Sequence, residues 1–170
     1  MDQQRGFSLL EVLCILAIIS VLAYFGSSPF LSISQTTQDK QTLKEQRQQL
    51  ADALTQARQL AVVSGQTSFL CGGVDCNGVW SSGFSLYQAT DSDSSKQIFR
   101  QHAFDDGVQV VWNGFPTQKT QVEFQTHGLS AYQNGTFEFC LEGWQTGLVL
   151  NQSGRFYSTD IQPKTLETCL

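Results

Sequence analysis

The stretch RGFSLLEVLCILAIISVLAYF, residues 5–25, sets the first constraint on this chain. Val12 to Phe25 carry no charge and one conspicuous polar side chain, Ser20. The apolar run from Phe7 to Phe25 matches the roughly 20 residues that cross a bilayer as a helix. One acid, Glu11, lies inside it. A charged acid near the middle of a membrane helix costs about 2.5–3.5 kcal/mol on insertion scales, and less near an end. A plain signal anchor with an interfacial glutamate is therefore the simplest account, but intramembrane acids are as a rule functional. A cleaved secretory signal fits poorly: Arg5 supplies a basic start, yet no A-x-A sequence follows the run.

Beyond this segment the chain has about 140 residues, enough for one domain that buries roughly two thirds of its unfolded surface. The net charge is −5, which disfavours a broad electrostatic grip on nucleic acid or anionic lipid. Of five cysteines, Cys14 sits in the apolar run and Cys71, Cys76, Cys140 and Cys169 lie downstream. In an exported domain an even set of four reads as disulfides. Three pairings are open. The favoured one joins Cys71 with Cys76 across a glycine-rich loop and Cys140 with Cys169, tying the C-terminus to a strand. CGGVDC, with neither histidine near, has poor spacing for zinc, and Asp91-x-Asp93 lacks the other ligands of a calcium loop. His102 and His127 stand in no nucleophile, zinc or phosphate-loop motif, so no enzyme, metal or cofactor is expected.

Gly26 and Pro29 weaken helix continuity after the run. Leu43, Arg47, Leu50, Leu54, Ala57 and Ala61 then step by fours and threes, an amphipathic helix whose apolar stripe only Arg47 breaks, ending near Gly65. A helix from Phe7 to Ser64 would run about 87 Å at about 1.5 Å per residue. After Gly65 come short β-branched and aromatic runs: TSFLC, GFSLY, QIFR, VQVVW, QVEFQ, TFEFC, LVLN and RFYS. Asn134-Gly135 reads as a hairpin turn and Gln152-Ser153-Gly154 as another. The expected fold class is α+β, a lollipop with a long N-terminal helix packed against an antiparallel two-sheet β head. Its parts are a leader at 1–6, a membrane and assembly helix at 7–29, an amphipathic stem at 30–65 and a periplasmic head at 66–170.

Arg5-Gly6-Phe7-Ser8-Leu9-Leu10-Glu11, running straight into the apolar segment, resembles the class III signal of type IV pilins and of the pseudopilins of type II secretion. The resemblance implies cleavage by prepilin peptidase between Gly6 and Phe7, methylation of the Phe7 amine, and an assembly role for Phe7 and Glu11. It also implies that the segment around Gly26 and Pro29 permits extension of the stem. The physical sense is that an ammonium on Phe7 and the Glu11 carboxylate both lie in low dielectric, where a pair is tolerable and an unpaired charge is costly. Glu11 of one subunit neutralising the amine of the next would set the register of a filament. The partners implied are the peptidase, other minor pilins and the major pilin, with the inner membrane holding the chain before assembly and the pilus or pseudopilus at the cell surface receiving it.

ARQLAVVSGQ, the strand into Cys71, Trp80 with Gly83-Phe84, IFR, TFEFC and the late GRFY resemble the GspH/FimT family. Three roles occur there: FimU-like minor pilins of a pilus-initiating tip complex, FimT-like pilins that bind DNA, and H-type minor pseudopilins of type II secretion. The first is the main expectation. DNA-binding members carry a paired-arginine GRxR, whereas here Tyr157 follows Gly154-Arg155 at the second position. Arg155 and Lys164 alone offer few phosphate contacts, so DNA is disfavoured as a partner.

Overall fold

The computed structural model describes residues 8–26, 29–89, 96–165 and 169. It divides into two compact units, Met1–Gln38 and Asp39–Leu170. The expected cleavage site at Gly6 and Phe7 and the Asp91-x-Asp93 loop lie outside the described residues. In the first unit, helix α1 runs Leu9–Gly26, and helix α2, Pro29–Ser64, begins at the proline. Proline is suited to a helix start because its missing N–H would have no intrahelical partner there. Ser20 donates to the Ala17 carbonyl at 2.9 Å, so its hydroxyl is satisfied within α1. Among the described residues no helix is long and apolar enough to cross a membrane. The 18 residues of α1 span about 27 Å, just under the ~30 Å of a hydrocarbon core.

In the second unit α2 packs on two antiparallel sheets. Strands β1 (Ser68–Gly72), β2 (Phe84–Ala89), β3 (Lys96–His102) and β5 (Gln121–Phe124) form one, in the order β3-β2-β1-β5. The other comprises β4 (Gln109–Phe115), β6 (Asn134–Leu141), β7 (Trp144–Leu150) and β8 (Phe156–Ser158) in that order, with β9 (Gln162–Pro163) also paired to β7. Leu43, Leu50, Leu54, Ala57 and Ala61 are fully buried, as the stripe requires. They meet Leu70, Phe84, Leu86, Phe124, Phe137 and Phe139 from the sheets in one core. α2 closes with the Gly65 amide on the Ala61 carbonyl at 3.1 Å and Gly65 at φ +66°.

Asn134-Gly135 is not a hairpin turn. Both residues open β6, opposite Phe115 and Gly114 of β4. The glycines serve close approach: a Cβ on Gly135 would stand 2.6 Å from the Gly114 Cα and 2.8 Å from Trp112 Cζ2. The turn between β6 and β7 is instead Glu142-Gly143, with Glu142 at φ +49°. The Gln152-Ser153-Gly154 turn is present, held by the Gly154 amide on the Asn151 carbonyl at 2.9 Å and the Arg155 amide on Asn151 Oδ1 at 3.0 Å.

Polar residues of α2 clasp each sheet. Arg47 Nη1 donates to Thr146 Oγ1 and to the Thr159 carbonyl, both at 2.5 Å, joining the helix to β7 and to the link between β8 and β9. Burial lowers the guanidinium pKa and Asp160 partly offsets this. Toward the other sheet, Arg100 donates to Gln49 Oε1 at 2.6 Å, and His102 Nε2 lies 3.0 Å from Gln46 Oε1. With Nε2 protonated, neutral imidazole suits that acceptor.

Leu54→Ala should lower stability by about 2–5 kcal/mol, the usual range for a buried leucine, while Gln56→Ala on the exposed face should change it by less than about 0.5 kcal/mol. Denaturant unfolding of the full chain in detergent micelles checks this. Burial first, then the Arg100 charge, pushes the His102 pKa down, and Asp105 opposes them. A histidine whose folded pKa lies below its unfolded value of about 6.5 stabilises the fold above that pH and loses the contribution as pH falls through the depressed value. Below about pH 6.5, His102→Gln should therefore show a flatter loss of stability with acid than the parent chain, read from unfolding midpoints across pH.

Candidate assembly and interaction surfaces

α1 is apolar on all sides. Leu9, Leu10, Leu13, Leu16, Ile18, Ile19 and Leu22 point outward around the helix, and each is more than half exposed. A helix of this kind is stable in water only when lipid or protein covers it. Glu11 is exposed in its first turn, with its amide on the Ser8 carbonyl at 3.0 Å. Carboxylates are favoured there because the first turn presents unpaired N–H groups and the positive end of the helix dipole, worth about 0.3–1 kcal/mol at an exposed site. The acid thus sits where its charge is least costly to the isolated helix and within sequence reach of the N-terminus.

The four downstream cysteines form two disulfides. Cys71 and Cys76 have Cα atoms 5.1 Å apart, and Cys140 and Cys169 are 6.3 Å apart. Both spacings lie in the ordinary range. The first ties the end of β1 to the loop before Trp80, and the second ties the C-terminus to the end of β6. Cys14 is free and exposed on α1.

Arg155 and Lys164 are not brought together. The Asn151 amide bonds the Arg155 carbonyl at 3.0 Å beyond one end of β7, and the Lys164 amide bonds the Gly143 carbonyl at 2.8 Å beyond the other. Eight residue steps at about 3.4 Å put these anchor points roughly 27 Å apart. Instead, Arg155 shares a groove with Arg58 of α2, over Val62, Val63 and Phe156. Gly154, at φ +71°, lets the β7–β8 turn close on the Gly128 loop, since a Cβ there would lie 2.5 Å from the Gly128 carbonyl oxygen. Gly128 in turn lies against Arg58 and Val62, where a Cβ would come within 3.1 and 3.2 Å of their side chains. The sequence reading missed Arg58, Val62 and Val63. The available signal was Val62-Val63, two adjacent apolar residues of which the 86 % exposed Val63 stands off the core stripe.

His102 is taken up by Gln46, Phe84 and Phe104, and His127 is exposed, its Nδ1 accepting weakly from the Leu129 amide at 3.4 Å. Among the described residues no group of three or more histidine, cysteine or acidic side chains is arranged to hold a metal. These surfaces suit association, through an uncovered apolar helix and a charged groove.

Residues 1–23 match the prokaryotic N-terminal methylation motif, and residues 46–154 match the family of type II transport protein GspH. Among solved structures the fold is similar to the type IV minor pilin FimU of Pseudomonas aeruginosa, at 20% identity and TM-score 0.57, covering 75% of this chain and 99% of that one. It is also similar to the minor pseudopilin EpsH of the type 2 secretion system of Vibrio cholerae, at 19% identity and TM-score 0.53, covering 68% and 94%. No curated protein matches the chain. Since the GspH model covers more than half of the 170 residues, the chain belongs to the GspH family, a structural, pilin-like family and not an enzyme family.

Proposed function

We propose that this chain is a minor subunit of a pilin-type filament, held in the inner membrane through the apolar N-terminal segment with its β-rich unit in the periplasm. The observation that carries this is α1, apolar around its circumference, exposed at each described side chain from Leu9 to Tyr24 and marked by one acid in its first turn. Prepilin peptidase cuts between Gly6 and Phe7 and the new Phe7 amine is methylated, a reading supported by the match of residues 1–23 to the methylation motif. The ammonium of Phe7 is then neutralised by Glu11 of an adjacent subunit, which fixes the stagger between stems as α1 passes from lipid into the filament.

Of the two machines, we favour type II secretion, with this chain as its H-type minor pseudopilin, because the matched family is described by type II transport. The fold likeness to FimU supports a second reading, a minor pilin of the complex that initiates a type IV pilus. DNA uptake is disfavoured by Tyr157 in place of a second arginine and by the separation of Arg155 from Lys164.

Intact-mass analysis of the chain from cells should show a mature start at Phe7 bearing one methyl group, lost when the peptidase is deleted; an uncut Met1 in wild-type cells would refute the filament reading. Glu11→Ala should be processed and folded but depleted at least about tenfold from sheared filaments, the scale of one lost charge pairing of about 1.4 kcal/mol or more. Deleting the gene should strip the medium of type II exported proteins while pili persist; the reverse pattern selects the FimU-like role.

A further inference from the structure

The groove at the C-terminal turns of α2 is the concave feature whose chemistry the filament reading leaves unused. Its volume of about 570 Å³ falls within the ~300–1,000 Å³ of ligand-binding clefts. Val62 and Val63 are half or more exposed beside the part-buried Phe156, so the floor is apolar and wet. Arg58 and Arg155 border it, and neither guanidinium has a hydrogen bond or ion pair among the described residues. In a chain of net charge −5 this is selective, since Arg47 and Arg100 are both bonded. The glycine contacts at 154 and 128 hold the turn that carries Arg155 against the helix that carries Arg58.

We propose that this groove receives an acidic segment of a neighbouring filament subunit, with carboxylates on Arg58 and Arg155 and an aliphatic side chain on Val62, Val63 and Phe156. Guanidinium forks match carboxylates with two parallel hydrogen bonds, and a peptide side chain would remove the valines from water. A nucleic-acid backbone would use the two cations and leave the apolar floor uncovered. It would also meet an acidic protein with about two phosphate contacts, too few for a strong salt-dependent affinity. The identity of the partner as a filament subunit rests on the function proposed above; the chemistry of the groove does not.

The test is fluorescence anisotropy with the full chain in non-ionic detergent micelles and a short fluorescein-labelled peptide of alternating aspartate and leucine. The matched asparagine–leucine peptide and a labelled DNA duplex serve as competitors of different chemistry. The acidic peptide should bind at least about tenfold more tightly than the asparagine peptide, and Arg58→Gln and Arg155→Gln should each weaken it about tenfold, as for a lost hydrogen bond to a charged partner. Val63→Ser should weaken it as well. Circular dichroism of these variants, at the exposed Val63 and Arg155 and the half-buried Arg58, should match the parent. Equal binding of the two peptides, undiminished binding by the Arg58→Gln/Arg155→Gln double variant, or preference for the duplex overturns the proposal. Those results would leave Phe7 methylation and Glu11-dependent incorporation unaltered, so the two readings fail separately.

Discussion

Everything in the β-rich unit depends on one contact, the face of α2 from Leu43 to Ala61 pressed against two sheets that share no strand. Burying a leucine completely is worth about 1.5–3 kcal/mol, and Leu43, Leu50 and Leu54 are all fully buried there. The alanines at the other end act by their size. With Ala53, Ala57 and Ala61 on that face, β1 comes close enough for Ser68 Oγ to donate to the Ala57 carbonyl at 2.6 Å. A helix carbonyl that already accepts from within its helix thus gains a second donor from the sheet. Alanines that are weak for a coiled-coil seam are the right residues for a helix lying directly on a strand.

The stripe, the change from a helical to an alternating pattern at Gly65 and eight of the nine strands among the described residues were legible because each follows from local periodicity. What failed was non-local. Asn134-Gly135 has the composition of a tight hairpin, yet the glycine is needed because β4 and β6 approach closely beneath the Trp112 ring. The actual β6–β7 turn places a glutamate at positive φ, which composition does not announce. Strand β9 is two residues long and contains Pro163, so no periodic signal exists for it. Arg47 looked like a flaw in the stripe because its partners, Thr146 and Thr159, lie about a hundred residues away in sequence. The groove was hidden for the same reason: Arg58 and Arg155 meet only once the Gly154 turn is folded onto Gly128.

The two helices solve opposite problems. α2 spends its apolar residues on one side and faces water with glutamine, lysine and acids, so the fold itself covers it. α1 is apolar everywhere and nothing in its own unit covers it. In the function proposed above, such a helix passes from one apolar environment, lipid, to another, the filament. A single acid in its first turn makes the two environments distinguishable. On that proposal, its charge would lack a fixed counter-ion in lipid and would have one beside the amine of another stem, so the carboxylate that opposes membrane residence would favour assembly.

In the proposed filament, acidic heads brought side by side by their stems would repel one another, though only over about 8 Å at physiological ionic strength. Lateral contacts between them therefore have to reverse the sign of charge locally, and at short range. Arg47 and Arg100 cannot do so, since both are committed to holding the fold. Arg58 and Arg155 are uncommitted, and they flank apolar surface that no other part of the described chain covers. A cation pair around an apolar floor gives attraction that is lost if a partner presents basic or purely polar side chains, which makes the contact discriminating as well as adhesive. In the proposed filament the stem, with its one acid, would set axial register whichever pilin stands beside it, and choice among neighbours would come from head surfaces such as this groove.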